Sequence, residues 1–307
     1  MLKKYLLLPI AVLLLVSVYG NARAAFSGDD AGTAAAQFLK IGPGARESGM
    51  GEAFTAIADD AAALYWNPGG LAKITKQQAS FTHAELFESI RYEWASYALP
   101  TSVGVFAAGV QYLSYGDITT RNASGAATGS ISPSDLCATL SYARHILGLD
   151  AGASLKYISS EIRNKASAVA LDAGAQYALS PKIALGAVLQ NMGSSIKYDN
   201  SSDPLPLMIK AGAAYHMLEN WALAGDVIMP SDGAAYFAAG TEYTRKLGDR
   251  FAIALRGGYN TASKDLGGTR GFALGLGLKY GNYSMDYAYV PMGELGNTNK
   301  FSVGVQF

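Results

Sequence analysis

The residue types that most often do chemistry in proteins are sparse in this chain and far apart. The three histidines, His83, His145 and His216, lie in different segments, and no carboxylate or thiol spacing around them resembles a metal site. Cys137 is the only cysteine, so no intrachain disulfide can form. A Gly-x-Ser-x-Gly nucleophile motif is absent. We therefore predict that the protein is not an enzyme and that it uses no cofactor and no metal.

The composition narrows the class of protein further. Hydrophobic residues make up 50% of the 307 residues and charged residues only 16%, which is below the usual quarter. The 24 basic and 24 acidic residues balance, which argues against nucleic acid as a partner because phosphate binding needs a basic excess. Beyond the first twenty residues, no apolar stretch reaches the roughly 20 residues of a membrane-spanning helix.

The N-terminal residues have the pattern of a secretory signal. Lys3 and Lys4 supply the positive charge, and Leu6–Val16 is a short apolar core. Ala22-Arg23-Ala24 is a small-x-small cleavage site. We expect residues 1–24 to be a signal peptide that is cleaved near Ala24 on export.

Apolar and polar residues alternate with period two from Gln77 to the C-terminus. In Leu149–Tyr157, for example, Leu, Ala and Tyr share one face, and Asp, Gly, Ser and Lys share the other. Most of these segments have the roughly ten-residue length of a tilted transmembrane strand. We count fourteen of them, at 77–85, 90–99, 103–115, 134–146, 149–160, 166–179, 182–191, 205–217, 220–229, 234–246, 250–260, 270–280, 283–290 and 299–307.

The connections between these segments alternate between long and short. Tyr115–Pro133 and Met192–Pro204 are long and polar, whereas Leu147-Gly148 and Gly281-Asn282 are tight turns. Short periplasmic turns and longer external loops are typical of outer-membrane barrels. A soluble β-sandwich would also alternate, but it explains neither the loop lengths nor the many strands that end in tyrosine. We predict a membrane-spanning antiparallel β-barrel of about 14 strands over residues 77–307, in the bacterial outer membrane.

The polar face of the strands carries charges of both signs beside glycines. A pore that selects ions by charge would show one sign. A mixed set predicts ion pairs inside the barrel, and the glycines leave room for something within it. The charged residues are Asp135, Asp150, Asp172, Asp226, Glu242, Asp286, Lys156, Lys182, Lys210, Arg256 and Lys279, and the glycines are Gly152, Gly174, Gly186, Gly212, Gly258, Gly275 and Gly277.

The segment before the first strand does not alternate and needs a place to pack. Thr33–Leu39 has a short helix signal that Gly42-Pro43-Gly44 interrupts. Asp59-Asp60 caps the Ala-rich turn Ala61–Tyr65, which ends at Trp66-Asn67-Pro68-Gly69-Gly70. We expect residues 25–76 to form a small hatch, or plug, of short helices inside the lumen.

The run from Gly44 to Leu71 resembles the N-terminal signature of the PorV/PorQ family, a branch of the FadL-like superfamily of outer-membrane proteins. Leu189–Gly193, Pro204–Leu207 and Tyr112–Asp117 resemble the same branch. Gly69 departs from the Ala that the family usually carries there. The resemblance implies a 14-stranded barrel with a hatch. Its hatch motif residues here are Gly44, Ala45, Arg46, Gly49, Met50, Gly51, Asp59, Asp60, Asn67 and Pro68.

Two functions follow from the resemblance. The first is the uptake of hydrophobic solutes such as long-chain fatty acids, with outer-membrane lipids around the barrel and an apolar small molecule as ligand. For that function we select five hatch residues as candidate ligand contacts, which could equally be packing residues: Phe54, Ile57, Leu64, Tyr65 and Trp66. The second is a scaffold or shuttle role in type IX secretion, with cargo proteins or translocon subunits as partners.

Overall fold

A computed structural model describes residues 32–87, 90–198, 201–262, 271–293 and 296–307. The expected signal peptide and its cleavage site lie outside these described residues. Among the described residues, no helix is both long enough and apolar enough to cross a membrane.

Fourteen antiparallel strands close into a barrel, as the periodicity predicts. The first strand pairs with the last, so the sheet has no free edge. Predicted and observed boundaries agree to within three residues. The barrel strands are β1 (Gln78–Glu85), β2 (Arg91–Thr101), β3 (Gly104–Ser114), β6 (Ser134–Ile146), β7 (Leu149–Glu161), β8 (Lys165–Ser180), β9 (Ile183–Gly193), β12 (Met208–Leu218), β13 (Trp221–Pro230), β14 (Tyr236–Lys246), β15 (Phe251–Asn260), β16 (Phe272–Tyr280), β17 (Tyr283–Pro291) and β18 (Asn297–Gln306).

Two of the long connections contain strands that the sequence analysis treated as loop. β4 (Ile118–Arg121) pairs with β5 (Ala127–Ile131), and β10 (Ile196–Tyr198) pairs with β11 (Ser201–Asp203). Both are isolated two-stranded hairpins beyond the barrel strands. We refer to the end of the barrel with these hairpins as the loop end, and to the opposite end, with the tight connections, as the turn end.

The outer face of the barrel is a belt of apolar side chains. On β16, Phe272, Leu274, Leu276 and Leu278 are all about half exposed or more, and the residues between them are buried. Bulky apolar side chains at alternate positions of closed strands are what a lipid-facing surface requires. The belt therefore faces the bilayer, and the intervening residues face the lumen.

Residues 32–74, which we name the inner segment, lie inside the barrel. Two 3-10 helices, Gln37–Lys40 and Pro68–Lys73, flank two short α-helices, α1 (Ala45–Gly49) and α2 (Ala63–Trp66). The helix signal over Thr33–Leu39 is confirmed only in its last residues. Ala36 adopts the left-handed conformation (φ 51°), which sets the start of the first helix at Gln37.

The inner segment touches the wall through glycines. The backbone of Gly51 lies directly against Gly258, and that of Thr55 against Gly186. A Cβ on Gly275 would stand only 3.0 Å from the Cα of Gly49. The glycine-rich lumen face predicted from the sequence therefore makes room for a second backbone. Gly212 and Gly277 differ, because side chains of the wall occupy their space: Asp226 at Gly212, and Asp286 and Arg256 at Gly277.

Two adjacent glycines on β15 provide a direct test of this packing. Gly258 faces the inner segment, whereas a Cβ on Gly257 would have its nearest neighbour at 3.9 Å. Gly258→Val should destabilise the barrel by about 1–3 kcal/mol or more through overpacking, and Gly257→Val should change little. Thermal unfolding of both variants in detergent, followed by circular dichroism, measures the difference. Equal losses of Tm would show that the inner segment does not press on this strand.

Candidate functional site

Arg46 joins the inner segment to the wall. Its Nε and Nη2 each donate to the Glu242 carboxylate at 2.9 Å, and its Nη1 donates to Asp59 at 2.6 Å and to Asp60 at 3.2 Å. Arg256 binds the same carboxylate, because its Nε donates to Glu242 Oε2 at 2.6 Å. Its Nη1 donates to Asp286 Oδ1 at 2.7 Å, so Arg256 links the two carboxylates. The predicted ion pairs of the lumen face are thus present for Arg256 with Glu242 and Asp286, and for Lys156 with Asp172. Lys182 and Lys279, which were predicted on the same face, are exposed at the turn end.

This charged network faces a cavity of about 350 Å³ at the turn end. Arg46, Asp59 and Asp60 form the inner wall of the cavity. Strand residues close to the tight turns, such as Ser284 and Gln306, form its sides. The lining of this cavity therefore carries several carboxylates beside apolar residues.

Glu47 lines the same cavity but is almost completely buried, with 2% of its surface exposed. Its carboxylate rests against Gly44, where a Cβ would collide with it. Burial raises the pKa of the Glu47 carboxyl well above its ordinary value, and the nearby charge of Asp60 raises it further. The sequence motif gave no sign that this glutamate would be enclosed.

The remaining residues of α1 and its turn pack against the wall. The Ala45 amide donates to Ser302 Oγ at 2.8 Å, and Gly49 lies on Gly275. Met50 and Gly51 lie across β14 and β15. Ala45, Gly49 and Gly51 are small because the wall passes directly beside them, and Met50 meets the wall at Gly240 through its carbonyl oxygen and Cβ.

Asn67 and Pro68 form a second contact with the wall. The Asn67 side chain accepts from the Gly69 amide at 3.1 Å and donates to the carbonyls of Thr55 and Ala175. Pro68 rests on Gly152, and a Cβ on Gly69 would lie 2.9 Å from the Cα of Ala175. The departure from Ala at position 69 therefore has a steric reason.

The five candidate ligand contacts are all buried in the core of the inner segment. Tyr65 and Trp66 form an edge-to-face pair at 5.1 Å, and Phe54 and Trp66 form another at 6.2 Å. The Lys210 ammonium, which forms no ion pair among the described residues, lies 5.0 Å from the centre of the Trp66 ring. Ile57 and Leu64 complete the cluster. A role for these five residues in ligand binding stays a prediction.

Three successive lumen-facing side chains of β2 carry unpaired polar atoms. The Tyr92 hydroxyl, the Trp94 Nε1 and the Ser96 hydroxyl are buried and have no hydrogen-bond partner within the described part of the chain. Each such group costs about 1–3 kcal/mol unless a partner satisfies it. Their position on one strand face makes a file of hydrogen-bond donors, which we name the β2 file.

Residues 34–41 cover the loop end of the lumen and are held in place by polar contacts. The Lys40 ammonium and the Gln37 amide bind the buried Asp232 carboxylate at 2.6–2.7 Å. The Ala35 amide donates to Pro204, and Gln111, opposite Trp94, donates to the carbonyls of Phe38 and Ile41. We name residues 34–41 the cover.

Asp232 keeps the cover closed over a wide pH range. Burial alone would raise the pKa of its carboxyl, but hydrogen bonds from Lys40 and Gln37 and the charge of Lys40 hold the pKa below its ordinary value. The stabilisation by this carboxylate is therefore complete above about pH 4 and is lost as the pH falls through the lowered pKa.

Several of these contacts escaped the sequence analysis. Asp232 was placed in a loop, although an acidic residue there could have been matched to Lys40. Lys300 shares the lumen face of β18 with Ser302, and its ammonium donates to the Gly42 carbonyl at 2.6 Å. Its position two residues before Ser302 could have identified Lys300 as a lumen-facing residue. Gln190 donates to the carbonyl of Tyr65, a contact that no local pattern indicates.

The Arg46 contacts predict a strong effect on stability. Arg46→Met removes the bidentate partner of Glu242, and we expect a loss of about 3 kcal/mol in the free energy of unfolding. Arg46→Lys should rescue little, because one ammonium cannot reproduce the guanidinium geometry. A double-mutant cycle with Glu242→Gln in detergent should give a coupling energy of about 1–3 kcal/mol. Additive losses would show that the two residues do not interact.

Burial of Glu47 predicts a pH-dependent stability. Because its pKa is raised in the folded state, its unfavourable contribution is absent below the ordinary pKa and grows as the pH rises toward the folded-state value. Glu47→Gln should therefore raise Tm at pH 8 and leave Tm nearly unchanged at pH 4. Thermal unfolding at both pH values checks this, and a Tm that falls in the variant at pH 8 would contradict it.

Known structures share this architecture over nearly the whole chain. The Ralstonia pickettii toluene transporter TbuX is 13% identical, with a TM-score of 0.60, covering 87% of this chain and 98% of its own. The Pseudomonas putida toluene transporter TodX is 14% identical, with a TM-score of 0.56 and coverages of 87% and 99%. A Pseudomonas aeruginosa FadL homologue is 11% identical, with a TM-score of 0.54 and coverages of 86% and 98%. Searching curated proteins gives no match.

A protein-family model also matches this chain, on the basis of its sequence. It matches residues 16–226, which is more than half of the chain and includes the whole inner segment. The resemblance inferred from Gly44–Leu71 is confirmed by this match together with the FadL-like fold. The chain belongs to the uncharacterised protein family UPF0164, a PorV/PorQ-type family whose barrel has the FadL-like fold.

Proposed function

We propose that this protein takes up hydrophobic solutes across the outer membrane, with long-chain fatty acids as the expected class. The observation that carries the proposal is the change in character along the lumen. Beneath the cover, apolar and aromatic side chains form one cluster around three buried lysines, Lys156, Lys210 and Lys300, whereas the turn end carries a network of ion pairs.

The loop end offers an apolar solute a favourable environment. Phe38 and Leu39 of the cover are buried against a hydrophobic cluster that includes Leu113, Ile196 and Leu205. Burial of apolar surface contributes about 25 cal/mol per Å², so a solute that displaces the cover could exchange one set of apolar contacts for another. For this exchange, the Lys40–Asp232 ion pair and the hydrogen bonds of the cover to Asp232, Pro204 and Gln111 must break.

The turn end is unfavourable for the same solute. Its cavity is lined by Arg46, Asp59 and Asp60, whose partly exposed side chains would lose hydration against an apolar molecule. The barrel strands are paired with their neighbours all round, within the part of the chain that the structure describes. Release therefore requires a shift of the inner segment or a local opening of the wall.

The β2 file supports a solute with a polar end. Tyr92 and Trp94 offer hydrogen-bond donors that no described group accepts, so a carboxylate or carbonyl oxygen would satisfy them. Trp94 lies opposite Gln111, which holds the cover. Opening the cover would bring the file within reach of the solute. The fold shared with two toluene transporters adds support for an apolar ligand.

A second candidate function is the scaffold role in secretion. The β4–β5 hairpin supports it, because the pair stands apart from the barrel sheet with exposed side chains such as Ile118. An isolated hairpin can accept a further strand from a partner. In this role nothing would cross the barrel, and the filled lumen would serve only to close it.

Uptake of labelled oleate tests the proposal in a host that lacks its own fatty-acid transporter. Expression should raise uptake clearly above that of the empty vector. Tyr92→Phe and Trp94→Phe should each lower the apparent affinity about fivefold, because each removes a hydrogen-bond donor of the β2 file. Tyr92→Phe should leave Tm unchanged or higher, since it removes an unsatisfied buried hydroxyl, whereas Trp94→Phe should lower Tm through the cavity that the smaller ring leaves beside Tyr65. Tyr157→Phe, on the lipid face, is the matched control.

Uptake no greater than that of the empty vector at equal expression would reject the transport proposal. Co-purification of secreted proteins or translocon subunits in that case would favour the scaffold. Unchanged affinity in both β2 variants, with uptake intact, would leave transport standing and remove the file from the binding site.

A further inference from the structure

Among the described residues, the excess of exposed basic over exposed acidic side chains is larger at the turn end of the barrel than at the loop end. At the loop end, the exposed charges of the described residues have both signs, as with Arg91, Arg121 and Arg163 beside Glu85, Asp117 and Glu161. At the turn end, basic residues predominate. Arg144, Lys182, Arg245, Lys246 and Arg250 are among the basic residues exposed there, against the exposed acidic residues Asp59, Glu219 and Asp249.

Two of the turn-end arginines point toward the bilayer side of the wall. Arg144 follows Tyr142 by two residues on β6, and Arg245 follows Tyr243 by two residues on β14. Side chains two residues apart share a strand face and are separated by about 7 Å. Each arginine therefore lies just beyond an aromatic side chain on the lipid-facing surface.

The aromatic residues above these arginines mark the edge of the apolar belt. Phe106 and Tyr142 have ring centres 4.9 Å apart, and Trp221 and Tyr243 have ring centres 6.4 Å apart. Tyrosine and tryptophan collect where hydrocarbon meets the headgroups. The guanidinium groups of Arg144 and Arg245 are thus placed at the level of lipid phosphates.

Neither arginine is neutralised by the protein. Arg144 stands opposite Ala151, and Arg245 stands opposite Ile253. Neither forms an ion pair within the described part of the chain. Their charge is therefore available to a ligand, and a guanidinium binds phosphate oxygens in a bidentate manner.

We propose that the turn end of the barrel binds the phosphate groups of anionic phospholipids in the surrounding leaflet. β6 and β14 are six steps apart in the closed order of fourteen strands, so the two arginines lie on nearly opposite sides of the barrel. Lys182 lies between them, in the turn before β9. A leaflet contacts all sides of a barrel at once, whereas a single compact protein partner would contact one side.

The test compares two double variants that change the net charge equally. Arg144→Gln with Arg245→Gln removes the turn-end charges, and Arg121→Gln with Arg163→Gln removes two exposed loop-end arginines. Native mass spectrometry of the full-length protein would count bound phosphatidylglycerol and phosphatidylcholine at equal lipid concentrations. We expect wild type to prefer phosphatidylglycerol, with a loss of about fivefold per turn-end arginine removed. The loop-end variant should keep the preference.

Further measurements separate the source of the anion. Replacing both turn-end residues with lysine should restore most of the preference and its sensitivity to salt, because the charge is retained. Inorganic phosphate at millimolar concentration should compete weakly. Equal binding of both lipids by wild type, equal losses in the two double variants, or full competition by inorganic phosphate would each overturn the proposal. Oleate uptake plays no part in these measurements, so the outcome is independent of the transport test.

Discussion

The direct contact between two backbones inside the barrel is the constraint on which the rest of this structure depends. The inner segment has a diameter that a wall lined by ordinary side chains would exclude, and glycines at Gly186, Gly258 and Gly275 remove that obstacle. Once the backbones touch, polar groups of the wall come within hydrogen-bond distance of the segment. Asp226 then accepts the amides of Phe54 and Thr55, and Gln190 reaches the carbonyl of Tyr65.

This constraint also explains how much could be predicted from the sequence. The strands of the wall were predictable almost completely. Side chains of a strand alternate between the lipid face and the lumen face, so apolar and polar residues alternate in the sequence with period two. The strand limits near Met208 and Tyr236 were less accurate, since prolines and glycines blur the pattern there. The paired strands of the two loop hairpins carry no alternation and were missed.

The site was predicted only in outline. The motif from Gly44 to Leu71 identified the inner segment, but it gave no sign of which wall residues it would contact. Glu242 is 196 residues from Arg46, and Asp232 is 192 residues from Lys40. Such partners depend on the register in which the barrel closes. No local pattern contains that register. The unpaired donors of the β2 file were equally invisible, because Tyr and Trp at lumen positions look like ordinary core residues.

The course of the inner segment has a consequence for assembly. The Ala35 amide donates a hydrogen bond to the Pro204 carbonyl at the loop end, whereas β1 begins at the turn end. The chain therefore runs through the whole length of the lumen before the first strand. Its widest part, around Tyr65 and Trp66, fills the space between opposite strands. Because the folded segment is enclosed by the closed ring, we infer that the hydrogen bonds between β1 and β18 form around it rather than before it enters the lumen.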